Sequence, residues 1–421
     1  MKTLVIAVTI AAVLALAAPA PTRAGKQSPA APGAPAGAGV RPYGPCALRT
    51  LSRDVSEGAR TPRGFAPSSG RVRAITFFID FPDAPARISP RKRYAEFFPA
   101  VADYFRASSY GRLDYRSTPV PRWIRMSRPY RSYGITRGTT FDPARNDGYH
   151  AIAREILDAV DEDVDFRRYD LINVLAAPNA GPPATRDVRS VTFAGAPTGL
   201  ETDDGVDIQN VSFIWSRQTG DSPFRVLNHE NAHSFGLPDL YYGGRARAGH
   251  TPVGHWDLMD EDWGPSNDFM AWHKWKLGWL GPGQVHCLAR PGTRTVTLTP
   301  TSAPGGAKLA VVPLTRTRAI TLEARAPGRL DHAVCRPGVV VSTIASDLSS
   351  GAGPVRTADA TPGSRGCHRG DPNVAADMTD AAYRPGQSLT TAGVTIDVLE
   401  RTPSGAYRVA VTRTRPPAHH A

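Results

Sequence analysis

An α+β organisation is the fold class the sequence predicts: a mixed helix-and-strand domain over residues 70–281, then an all-β, sandwich-like domain over 282–415. Two observations carry this prediction. Before Gly281-Pro282, β-branched and aromatic runs alternate with segments whose apolar residues recur at helical intervals, the pattern of a sheet covered by helices. After it, short alternating segments follow one another between Gly, Pro and Ser turns, with hardly any helix. A chain of 421 residues is long enough for two or three domains with a sizeable core.

The elements follow in order. Residues 1–24 pair a basic start at Lys2 with an apolar run from Leu4 to Ala18 and small residues at Ala20 and Ala24. That is the layout of a secretory signal peptide, and the run is too short to span a membrane stably. Residues 25–69 are dense in Pro, Ala, Gly and Ser, so they cannot bury enough apolar surface to offset their ordering entropy; a flexible segment or a short pro-segment is expected. RVRAITFFIDFPD then reads as a strand from Val72 to Phe81 ended by a turn. RYAEFFPAVADYFRASSYG reads as a helix broken at Gly111, and a second helix is expected over residues 149–160. YDLINVLAAP and NVSFIW are continuous apolar strands. Beyond 282, TVTLTP, KLAVVPL, RAITLEAR, GVVVSTIA, VTIDVLE and AYRVAVTR are the expected strands of the second domain, and residues 416–421 are a tail.

Charge and cysteines narrow the setting. The formal charge of +12 comes from scattered residues, with Arg91-Lys92-Arg93 the one tight cluster, which reads as a solvated surface and not as a nucleic-acid groove. Four cysteines behind a signal peptide predict two disulfides. Three connectivities are possible, and spacing favours Cys335 with Cys367 and Cys46 with Cys287. A secreted, extracellular monomer of bacterial type, without a stable membrane anchor, is expected.

The chemistry concentrates in VLNHENAHSFGLPDLYY, Val226 to Tyr242. His229 and His233 lie four apart, so on a helix both imidazoles project from one face and can hold one zinc ion. Glu230 follows the first histidine, which sets its carboxylate beside the activated water as a general base. Gly236 can end the helix in the left-handed conformation, and Leu237-Pro238 enforces an extended path that returns Asp239 as an oxygen ligand. Three protein ligands with a free fourth position describe a catalytic zinc site.

HENAHSFGLPDLY fits the signature HExxHxxGLPDxY, and on this basis the chain resembles the secreted metallopeptidases of the immune inhibitor A type, relatives of the metzincins. The resemblance spans residues 72–281: FFIDFPD is similar to the family's first strand, DYFRASSYGRLDY to the helix and turn after it, VGHWDLMDEDWG to its methionine stretch, and AWHKWKLGWL to the helix closing the catalytic domain. It implies a metzincin-like zinc-peptidase domain ahead of the sandwich-like one. It also implies His229, His233 and Asp239 as ligands, Glu230 as general base, Met259 as the apolar floor, and protein or peptide substrates. Where the family has a long pro-region, residues 25–69 alone lie between the expected signal and the first strand, and its zinc-capping aspartate has only Asp54 as a counterpart, at a spacing that does not match.

Calcium is a further cofactor of related enzymes. Asp161 to Phe166 and Asp203 to Asp207 are acidic enough, but neither has the spacing of a calcium loop, and solvated turns are the stronger reading. His255 and His273 read as structural histidines, and Trp256, Trp263, Trp272, Trp275 and Trp279 as packing residues. Gly220-Asp221-Ser222 resembles a serine-protease nucleophile loop, but Pro223 replaces the expected glycine and no histidine motif lies upstream. The rival function is a secreted adhesin or binding module with an inactive metal site. An intact Glu230 argues for the enzyme.

Overall fold

A computed structural model describes residues 44–414 except 51–54, 60, 137, 146, 181–189, 216–223, 244–250, 261–263, 265–267, 369 and 371–373. The chain divides into a unit of Met1–Arg41 and a unit of Pro42–Ala421, and all described residues belong to the second. The expected signal peptide over residues 1–24, residues 25–43, Asp54, Ser222, Trp263 and the tail from 416 lie outside them.

The fold is mixed α/β, with several sheets and few helices. Strands β1 (Gly70–Asp80), β2 (Leu113–Arg125), β3 (Leu171–Ala176), β4 (Val191–Phe193) and β5 (Val211–Ile214) form one sheet in the order β2-β1-β3-β5-β4. All its pairings are parallel except β4 with β5. Parallel strands are covered on both faces, which is why β1 from Ala74 to Asp80 and all of β3 are buried without a break. Successive residues divide between two cores: Val72, Ala74 and Phe78 face one side, while Ile75, Phe77 and Ile79 face the other.

Five helices are described: α1 (Pro90–Ala95), α2 (Ala100–Ser108), α3 (Gly148–Val160), α4 (Arg225–Ser234) and α5 (Ala271–Lys276). Helix α3 packs Ile152 and Ile156 into one core of the sheet, and α2 and α4 pack Phe105, Leu227 and Ala232 into the other. The single helix expected before Gly111 is split into α1 and α2 by Pro99, which has no N–H to continue the ladder. Ser89 starts α1 by accepting the Lys92 amide at 3.2 Å.

Beyond Leu280 two further sheets appear. One has the order β11-β10-β9-β8-β6, from β6 (Val285–Cys287), β8 (Leu309–Pro313), β9 (Arg318–Arg325), β10 (Gly338–Ala345) and β11 (Val355–Thr357). The other has the order β12-β13-β14-β7, from β7 (Gly292–Leu298), β12 (Ser388–Thr391), β13 (Val394–Arg401) and β14 (Tyr407–Arg413). They share a core of Leu298, Val312, Leu322, Val341, Ile396 and Val409. The other face of β8 to β10, through Leu309, Val311, Val340 and Ile344, joins the core that holds α4 and α5. Texture changes near 282, but apolar packing runs across that point.

The described part of residues 25–69 departs from the flexible reading. Cys46 is bonded to Cys287, the Ala66 amide donates to Ser234 O at 2.9 Å, Trp279 Nε1 donates to Ser68 O at 2.6 Å, and Lys276 Nζ donates to Gly58 O at 2.6 Å. Few of its residues are apolar, but Leu48 and Ala66 enter the core that holds α4 and α5, and a disulfide and polar partners from α4, α5 and the residues after α5 complete the anchoring. Cys335 is bonded to Cys367. No helix among the described residues is long and apolar enough to cross a membrane.

Candidate metal centre

Helix α4 is fastened to its sheet by polar as well as apolar side chains. Asn231 Nδ2 donates to Asn173 Oδ1 on β3 at 2.9 Å and to Ser212 Oγ on β5 at 3.1 Å, while its Oδ1 accepts from the Tyr115 hydroxyl on β2 at 2.6 Å. Asn173 in turn donates to Thr76 Oγ1 on β1 at 3.1 Å. A buried network satisfied in this way fixes both the axial position and the rotation of the helix. The opposite side of α4 therefore presents His229 and His233, whose ring centroids are 4.8 Å apart.

The helix ends as its sequence predicts. Gly236 has φ +88°, the Gly236 amide donates to His233 O at 2.8 Å, and the Leu237 amide reaches back to Ala232 O at 3.1 Å. This pair of bonds closes a helix ahead of a left-handed glycine. The chain then turns, and Asp239 Oδ1 comes to 3.1 Å from His229 Nε2 and 3.2 Å from His233 Nε2.

His229 Nδ1 donates to Leu258 O at 2.9 Å, and His233 Nδ1 donates to Leu237 O at 2.7 Å. A carbonyl can only accept, so each Nδ1 carries a hydrogen, and each inward-facing Nε2 offers a lone pair when its ring is neutral. Among the described residues this is the one group of three or more His, Cys, Asp or Glu side chains whose ligand atoms converge, all within 4.8 Å of one another. Two imidazole nitrogens and a carboxylate oxygen repel one another unless a cation or a proton sits among them. Zinc takes this donor set, so the residues present fit it. The same field acts on the proton: burial pushes His233 down, but the Asp239 carboxylate overrides it and holds His233 up at about 9. Burial opposes the Asp239 charge, yet the two histidines keep that carboxyl well below the usual range.

Glu230 is buried beside the group. Burial raises its carboxyl above the ordinary value, opposed by His229, His233 and a hydrogen bond from Thr192. Thr192 Oγ1, on edge strand β4, lies 2.8 Å from Glu230 Oε2, 2.8 Å from Glu230 O and 2.8 Å from Ser212 Oγ.

Met259 is fully buried, and the turn carrying it touches the site through Leu258 O. That turn is held by Asp257, whose carboxylate accepts the Met259 amide at 2.7 Å, the Met270 amide at 2.7 Å and His273 Nδ1 at 2.8 Å. His273 Nε2 meets Glu57 at 2.9 Å, and Trp272 Nε1 donates to the same carboxylate at 2.9 Å. Burial works against a charged imidazole there, but Asp257 and Glu57 raise His273 to about 10. His255 is buried and pushed down to about 3, first by burial and then by Arg325. Trp256, Trp272, Trp275 and Trp279 are all buried.

The acidic stretches serve other partners. Asp161 accepts the Asp203 amide at 2.8 Å, Asp204 accepts the Phe166 amide at 2.9 Å and pairs with Arg167, and Asp207 accepts the Thr198 and Gly199 amides. Sequence reasoning missed Thr192, Glu57 and Ser350, which touch the site or its supporting turn from 38, 216 and 111 residues away from their partners. No local spacing marks such pairs. No protein-family model matches the chain, and no curated protein matches it.

Proposed function

We propose that this chain is an exported zinc-dependent endopeptidase of the immune inhibitor A type, with His229, His233 and Asp239 as the metal ligands and Glu230 as the general base. One observation carries the reading: two Nε2 lone pairs and a carboxylate oxygen are turned toward one point, with a glutamate beside them. Zinc, when bound, supplies Lewis acidity that polarises a carbonyl and acidifies water. The chain's own residues do the rest. The carbonyls of Leu258 and Leu237 keep both histidines in the tautomer that donates a lone pair from Nε2. Glu230, its carboxyl raised by burial, takes a proton from the attacking water and later returns it to the departing amine. Thr192 holds Glu230 Oε2 so that the other oxygen is free for that exchange.

Metal analysis of the purified protein, paired with cleavage of an unfolded protein before and after chelation, tests the reading. Zinc-dependent cleavage is expected, and Glu230→Gln should keep the zinc while losing on the order of 100-fold or more in turnover. Zinc bound without cleavage would favour the binding module, and full activity in Glu230→Gln would remove the proposed mechanism.

A further inference from the structure

We infer that the C-terminal sheets complete the metal centre, with Ser350, on the connection between β10 and β11, as the residue that positions Asp239. The inference rests on the metal-centre reading above.

Asp239 directs Oδ1 at the two histidines, which leaves its other carboxylate oxygen and its backbone to be fixed elsewhere. Two consecutive residues of the β10–β11 connection do this. Ser350 Oγ donates to Asp239 Oδ2 at 3.0 Å and accepts the Asp239 amide at 2.9 Å, while the Gly351 amide donates to Asp239 O at 3.1 Å. A hydroxyl has one hydrogen to give and lone pairs to accept with, so Ser350 meets both demands of Asp239 at once. Alanine meets neither.

The loop is itself secured to the segment after Asp239. The Gly243 amide donates to Gly351 O at 2.9 Å, and Tyr242 bridges to Ala352 in antiparallel fashion. Gly353 has φ +66°, and a Cβ there would come within 2.6 Å of the Tyr242 ring, so the close approach requires glycine. Asp239 lies in neither helix nor strand, and its side-chain direction is set by these contacts across 111 residues of sequence. A ligating carboxylate whose second oxygen is hydrogen-bonded is pre-oriented, and such outer partners change metal affinity when removed.

The test uses the full secreted chain as wild type, Ser350→Ala and Ser350→Thr. Zinc affinity is measured by competition with a chelator, and melting temperature is measured on the metal-free forms. Ser350→Ala should bind zinc about tenfold or more weakly, Ser350→Thr should bind as wild type does, and the metal-free forms should melt together. Equal zinc affinity for wild type and Ser350→Ala overturns the role of Ser350 and leaves the metal centre standing. So does an affinity loss matched by a lower metal-free melting temperature and not restored in Ser350→Thr, because that is a general structural defect. A wild-type chain that takes up no zinc overturns the metal-centre reading itself.

Discussion

Glu230 depends on Thr192 for its orientation. The Thr192 hydroxyl has one hydrogen, and it sits 2.8 Å from the Glu230 carboxylate, from the Glu230 carbonyl and from Ser212 Oγ. Ser212 accepts from Asn231 and can donate to Thr192, which leaves the Thr192 hydrogen for Glu230. A hydrogen bond to an ionised group is worth about 1.5–3 kcal/mol. Thr192→Val should therefore lower turnover by roughly 10- to 100-fold, with zinc affinity unchanged and activity restored in Thr192→Ser. Steady-state kinetics beside chelator competition would check this, and unaltered turnover would mean that Glu230 is held by its surroundings alone. At this scale the sequence was legible only where residues are neighbours. His229, Glu230, His233, Gly236 and Asp239 lie on one turn-and-return, so their convergence follows from helix geometry. Thr192 and Ser350 arrive from a sheet edge and a distant loop, and only tertiary packing brings them in.

The turn over Asp257, Leu258 and Met259 links the centre to helix α5. Leu258 O holds His229, Asp257 collects the amides of Met259 and Met270, and His273 stands between Asp257 and Glu57. His273 ionises at about 10 in the folded chain against an ordinary 6.5, so the folded state binds the proton more tightly than the unfolded one. Its contribution is fully present below pH 6.5 and is lost as pH rises through about 10. Lys276 works in the opposite sense. Burial lowers it from 10.5 to about 8, so stability gains as pH rises between those values. The cleanest interval for the histidine is therefore between pH 6.5 and 8. Urea unfolding of wild type and His273→Gln across it should show the stability gap narrowing with rising pH, and a constant gap would mean that His273 is not charged in the fold. Glu57 was illegible because the Pro, Ala and Gly of residues 25–69 mask its few core residues such as Leu48, and composition says nothing of a carboxylate received by a buried imidazole elsewhere.

Across the whole molecule, the sheet of β8 to β10 is apolar on both faces; Leu309 to Pro313 is an unbroken apolar run, but five residues do not say what covers the second face. Periodicity made β1, β3, β5, β7 to β10, β13, β14 and α3 legible, but not β2, β4, β6, β11 or β12, and not that one sheet serves two cores, because its second partner is the core around α4 and α5. Leu309, Val311, Val340, Ile344 and Val355 all pack into the core of α4 and α5, and Glu323 accepts the Ala271 amide at the start of α5. Burying each such side chain is worth roughly 1.5–3 kcal/mol, so losing five exceeds about 7 kcal/mol, comparable with the whole stability of a typical domain. A chain ending at Leu280 should lack a cooperative melting transition, and one that melts cooperatively and binds zinc would show residues 42–280 to be self-sufficient. Under the proposed peptidase activity, the bond between Cys46 and Cys287 has a practical consequence for a chain exposed to its own copies. Of the 421 residues, those from 47 to 286 lie inside the covalent ring it closes, a span of 241 in sequence. A single cut there leaves both pieces joined, so the nicked chain stays one covalent molecule until a reductant releases the fragments.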